Sequence, residues 1–233
     1  MSGHSKWSQI KHKKGATDAK KSATFTKIAN MITVAARLGG GDRSSNPRLD
    51  MVMGKAHELN MPKDNIERAI KRGTGELEGV TLEALTLEAY GPGGSALIIE
   101  AITDNKNRTI TDLRNALGQH GGKMANSGSV IYQFHKKGVI RVKNPSDELE
   151  LKAIDAGAED TKKTDTLLEI YTRPEELQKV KNNLSGLAIE SADLEYLPQT
   201  TISPSGETKK QIEELMQIIV EHDDVQEIYS NLS

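Results

Sequence analysis

The sequence predicts a multidomain α+β protein. It should have an N-terminal helical bundle, a central α+β domain, and a ferredoxin-like βαββαβ domain inserted into the central one. Three observations carry this expectation. The hydrophobic period is helical up to about residue 78 and turns strand-like from Thr81. The stretch from GVIRVK to LEYL reads strand, helix, strand, strand, helix, strand. A lone strand near residue 225 follows a helix and cannot be stable unpaired, so it must return to the earlier sheet.

Each element has a local reason. In ATFTKIANMITVAARLGGG, Phe25, Ile28 and Ile32 form an apolar stripe continued by Ala35 and Ala36, and Gly39 to Gly41 end the helix. Asn46-Pro47 opens a second helix as N-cap and first-turn proline, with Leu49, Val52, Met53, Ala56 and Leu59 facing inward. Pro62 opens a third, in which Ile66, Ala69 and Ile70 face inward and Gly73 is expected to close it. LTLEAYG and ALIIEAIT flank GPGGS and form a hairpin. A helix is expected over 109–119, opened by the capping pattern Thr109-Ile110-Thr111-Asp112, and a strand over 129–134. Pro198 and TTISPSG mark a linker before a helix over roughly 207–222 and a strand over 225–229. The expected domains are 1–78, then 79–134 with 203–233, and the insertion 135–202.

Composition narrows the chemistry. Among 233 residues there is no cysteine, which excludes disulfides, thiolate catalysis and Cys-containing zinc sites. No apolar run approaches the roughly 20 residues needed to span a bilayer, and no membrane association is expected. The histidines have no metal-ligand spacing and the serines no nucleophile-elbow context, so no catalytic residue, metal or cofactor is expected, and the chain is read as not an enzyme. A formal net charge of -2 conceals a split: residues 1–75 balance at +9 and the remainder at −11. Such asymmetry points to a polyanion-facing module attached to an acidic body.

The basic run HSKWSQIKHKKGATDAKKSATFTK concentrates Lys6, Lys11, Lys13, Lys14, Lys20, Lys21 and Lys27 against Asp18 alone. Closely spaced lysines attract polyanions by counterion release, without sequence information. His12 is interleaved, and Trp7 can stack on an unpaired base or fold back on the bundle. Arg68, Lys71 and Arg72 near the end of the third helix extend that surface or only complement the helix dipole. Lys106 and Arg108, in a polar loop entering a helix, suit a phosphate, and Lys123 sits in the glycine-rich GGKMANSGSV. Tyr90-Gly91-Pro92-Gly93-Gly94 is not a phosphate loop, because it joins two strands and Pro92 removes a donor.

Gly3-His4-Ser5-Lys6-Trp7, Phe25-Thr26-Lys27, Gly39-Gly40-Gly41-Asp42, Asn46-Pro47-Arg48-Leu49 and Asn60-Met61-Pro62-Lys63-Asp64 resemble the YebC/PmpR family. So do Arg68 to Gly73, Tyr90 to Gly94, the Asp104 to Thr109 loop and Gly138-Val139-Ile140, collinear over essentially the whole chain. The resemblance implies three domains, a cytoplasmic protein, and a non-enzymatic regulator of gene expression that binds DNA as a transcriptional regulator. Other members of the family imply an alternative: a translation factor on rRNA or tRNA of the ribosome, helping synthesis of difficult sequences such as proline runs. A protein–protein adaptor is the third reading. Asp50 departs from the family, where a basic residue often stands, and interrupts a continuous basic face on the second helix; Ala89 replaces a usual glycine. No helix-turn-helix with an obvious recognition helix is legible, and the ferredoxin-like strands lack paired stacking aromatics, so sequence-specific readout is not expected.

Overall fold

The computed structural model describes residues 18–233, with side chains from Lys21 onward. Three helices come first: α1 (Asp18–Gly39), α2 (Pro47–Glu58) and α3 (Lys63–Thr74). Their shared core joins Ile28, Ile32 and Ala35 of α1 to Leu49, Val52 and Ala56 of α2 and to Ile66 and Ala69 of α3. Asn46 caps α2 by accepting from the Leu49 amide at 3.0 Å. Its amide nitrogen donates to the carbonyls of Ala35 and Gly40, locking the α1–α2 turn.

Gly73 does not close α3. The helix continues to Thr74, and Gly75, at φ 83, takes the left-handed cap that favours glycine. Gly73 instead marks the crossing with α1: a Cβ there would lie 2.5 Å from the Thr33 carbonyl oxygen and 2.7 Å from the Ala36 Cβ. Thr33 adds a buried hydroxyl bond across the same contact, donating to the Ala69 carbonyl at 3.1 Å.

The chain then enters a four-stranded sheet. Strand β1 (Glu83–Tyr90) turns through Pro92–Gly94 into β2 (Ala96–Thr103), and α4 (Lys106–Gln119) leads to the two-residue β3 (Lys123–Met124). After the other unit, α7 (Gly206–Glu221) and β8 (Val225–Ser230) complete it, in the order β3-β1-β2-β8. The lone terminal strand thus pairs with β2, antiparallel, as its need for a partner demanded. One sheet face carries a core of Leu97, Ile99, Leu113, Leu117, Leu215 and Ile219, closed by α4 and α7.

Two expectations in this region fail for identifiable reasons. Helix α4 begins at Lys106 because Asn105 caps it by accepting from the Arg108 amide; Thr109 lies inside the helix, its hydroxyl committed elsewhere. Residues 129–134 are not one strand. The Glu88 carboxylate takes the amides of Gly128, Val130 and Ile131, so they cannot join a ladder, and Ile131–Gln133 forms a 3-10 turn.

Residues Phe134–Leu197 form a separate compact unit. It contains β4 (Phe134–Lys143), α5 (Asp147–Asp155), β5 (Asp160–Lys163), β6 (Leu167–Thr172), α6 (Leu177–Asn183) and β7 (Ile189–Pro198), the last ending one residue beyond it. The sheet order β5-β6-β4-β7 is the ferredoxin-like arrangement. Arg141 is buried between Glu169 (3.1 Å) and Glu195 (2.5 and 3.0 Å). Burial pulls the guanidinium toward its neutral form, but the two carboxylates outweigh it and raise its pKa.

Candidate nucleic-acid interface

Lys6, Trp7, Lys11, His12, Lys13 and Lys14 lie outside the described residues, as does the side chain of Lys20. Lys21 is exposed on the first turns of α1. Lys27 is half-buried, and its Nζ donates to the carbonyls of Val220 (2.8 Å) and His222 (3.0 Å). A cation there satisfies carbonyls that the end of α7 leaves without helical partners. The lysine therefore ties α1 to the C-terminal helix.

Arg68, Lys71 and Arg72 are exposed on α3. Spacings of three and four put them on one face, opposite buried Ile66, Ala69 and Gly73. Among the described residues none of the three forms an ion pair, whereas Lys63 on the same helix pairs with Glu67. Asp50 pairs with Arg43, so the family departure on α2 neutralises a neighbouring cation as well as interrupting the basic face.

The two candidate loops do not converge. They sit at opposite ends of the 14-residue α4, about 20 Å apart at helical rise. At the N-terminal end Lys106 is exposed. Arg108 donates to Asp104 (2.8 Å) and Asp224 (3.2 Å), and these two carboxylates raise its pKa. Thr109 donates to Asp224 at 2.6 Å. Burial raises the Asp224 pKa, but the bonds from Thr109, Arg108 and Thr103 reverse the sign and hold it below the ordinary carboxylate range. Arg108 is thus a clamp between the 103–109 segment and the end of α7.

At the C-terminal end, Lys123 is exposed with its Nζ 5.6 Å from the centroid of the Tyr90 ring. The Tyr90 hydroxyl donates to the Ser129 carbonyl at 2.9 Å. Glu88 anchors the same loop through its three amide bonds at 2.5 to 2.8 Å. Burial alone would raise the Glu88 pKa, yet these amides lower it overall. The turns 90–94 and 121–123 border one open cleft of about 430 Å³. Glu88, Tyr90 and Asp224 were missed as organising residues. For Glu88 the available signal was a single acid in the otherwise apolar end of β1; Asp224 had none, its partners being more than a hundred residues away.

Comparison with known proteins settles the family. The family model for the "TACO1/YebC protein N-terminal domain" matches residues 5–76, and that for the "TACO1/YebC second and third domain" matches residues 82–232. The chain belongs to the TACO1/YebC family. A relative from Desulfosudis oleivorans is 48% identical over 238 residues, covering 100% of this chain and 97% of that protein. One from Thermotoga petrophila is 49% identical, covering 99% and 93%. Both are named "Probable transcriptional regulatory protein". The crystal structure of a conserved hypothetical protein from Aquifex aeolicus superposes with a TM-score of 0.89 at 43% identity, over 97% of this chain and 96% of that one. Among the described residues of this TACO1/YebC member, no helix is long and apolar enough to cross a membrane.

Proposed function

We propose that the chain is a nucleic-acid-binding, non-enzymatic regulator of gene expression whose N-terminal helical region grips phosphates. The observation that carries this is the Arg68, Lys71 and Arg72 face of α3, exposed and without carboxylate partners among the described residues. The +9 balance of residues 1–75 supports the same surface, and the names of the relatives support transcription as the setting. Arg108 contributes by holding the fold. Lys106 and Lys123 remain available cations at the two ends of α4.

A duplex-DNA titration over a salt series tests this. About five phosphate contacts give a logarithmic salt slope of roughly −4 to −5. Lys11→Glu with Lys14→Glu, and separately Arg68→Glu with Lys71→Glu, should weaken binding and flatten that slope. An unchanged slope in both double variants would refute the helical region as the gripping surface.

The second reading, a ribosome-bound translation factor, would draw on the open cleft at 90–94 and 121–123, where Lys123 supplies the charge. Co-sedimentation with ribosomes, together with no preference for duplex DNA, would select it over transcription.

A further inference from the structure

Two glycine-rich turns far apart in sequence meet in the cleft of about 430 Å³, with glycines 91, 93, 94, 121 and 122 supplying most of its lining. This volume falls within the roughly 300–1,000 Å³ typical of small-ligand sites, and suits one or two units of an extended chain. Walls without side chains let a polymer backbone come close. No carboxylate lines the cleft, and its single charge is Lys123.

Position favours an anion. Lys123 lies over the Tyr90 ring, and that ring is fixed through its hydroxyl bond to Ser129. The first turn of α7 packs on the same hairpin: Thr208 Cγ2 lies 2.7 Å from a Cβ built at Gly93. That helix start has no side-chain cap; its amide end adds positive potential beside the turn, offset by Glu207 in the same first turn, so Lys123 is the charge that favours an anion. The C-terminal end of α4 opposes this, and Lys123 follows it four residues later in the chain. Apart from Lys123, the lining has no side chain free to read base edges, since Tyr90 already donates its hydroxyl to Ser129.

We infer that this cleft binds the sugar-phosphate backbone of an unpaired nucleic-acid segment, without base specificity, with Lys123 neutralising one phosphate. This inference rests on the nucleic-acid reading above, and it adds a second contact, selective for single strands, to the general phosphate grip of the helices.

Two variants probe it. Lys123→Gln removes the charge and keeps most of the stem. Gly94→Asn narrows the mouth: the glycine sits at φ 75, which asparagine tolerates, and a Cβ there meets nothing within 4 Å. The full chain is titrated with a fluorescein-labelled ten-nucleotide single-stranded RNA and with a blunt RNA duplex. Lys123→Gln should bind the single strand about tenfold more weakly, the loss of one charge-assisted contact, with the duplex less affected. Gly94→Asn should weaken single-strand binding by obstruction and bind the duplex as before. Lys123→Gln should also lower the single-strand salt slope by about 0.7. Unchanged single-strand affinity in both variants, or equal losses on both polymers, would overturn the inference and leave the helical grip standing. Competition by poly-glutamate as effective as unlabelled RNA would overturn it in favour of an acidic peptide. A wild-type chain that binds neither polymer overturns both readings.

Discussion

Replacing Gly73 by alanine sets two known effects against each other. A glycine in a helix interior costs about 1 kcal/mol relative to alanine, so propensity alone predicts stabilisation. At this position the new methyl would stand 2.5 Å from the Thr33 carbonyl oxygen, 2.7 Å from the Ala36 Cβ and 3.1 Å from the Arg37 nitrogen. Two of those neighbours are backbone, so α3 must move off α1 rather than a side chain rotate. Overpacking of this kind costs about 1–3 kcal/mol, and loosening the Thr33 to Ala69 bond adds about 1. The net expectation for Gly73→Ala is a loss of about 1–3 kcal/mol. Gly54, inside α2 with nothing within 4 Å of its built Cβ, is the internal control. Gly54→Ala should stabilise by up to about 1 kcal/mol. Urea unfolding followed by circular dichroism at 222 nm measures both, and the phosphate binding proposed for Arg68 and Lys71 should weaken with Gly73→Ala alone. Equal or greater stability of Gly73→Ala would refute the close crossing as the reason for glycine there.

Acid should release the loop that Glu88 anchors. Its pKa is lower in the folded chain than the ordinary 4.5, so its contribution is full above that value and lost as pH falls through the folded one. Amide exchange at Gly128, Val130 and Ile131 should therefore rise selectively below about pH 4.5, and Glu88→Gln should mimic this at neutral pH at a cost of about 2–3 kcal/mol. Arg141→Met strands two buried carboxylates and should destabilise by about 3–5 kcal/mol in thermal unfolding, whereas adding Glu169→Leu and Glu195→Leu should recover most of that loss. Asp224→Ala removes the bonds that Arg108 and Thr109 make to the segment after α7, leaving Arg108 only its partners within 103–109. It should speed amide exchange across 103–109, and an unaltered exchange pattern there would show that the clamp does not hold the loop.

The elements most readily legible in the sequence were those whose cause is local. Asn46-Pro47 carries its cap and first-turn proline within two residues, and the alternating order from Gly138 onward was enough to anticipate the β5-β6-β4-β7 sheet. The return of the last strand followed from an elementary constraint, the instability of an unpaired strand. What stayed hidden depends on partners distant in the chain. Nothing near Gly73 reveals that Thr33 presses on it, and nothing near Arg108 reveals Asp224, 116 residues away. Lys27 belongs to the basic run by composition, yet its bonds go to carbonyls 193 and 195 positions later. The cleft was legible only as two unrelated glycine-rich turns, because their meeting depends on the β1–β3 pairing.

The pairing of β2 with β8 also has a consequence for synthesis. The Ala96 amide closes on Asn231, 135 residues later, so the central strand of the first sheet stays half-paired while the whole ferredoxin-like unit is translated. That unit can fold first as a local contact set, leaving the hairpin of β1 and β2 with an open apolar edge in the meantime. A growing chain would thus finish its parts out of numerical order, and a message broken shortly before codon 225 would yield a product with a folded insertion and an aggregation-prone host.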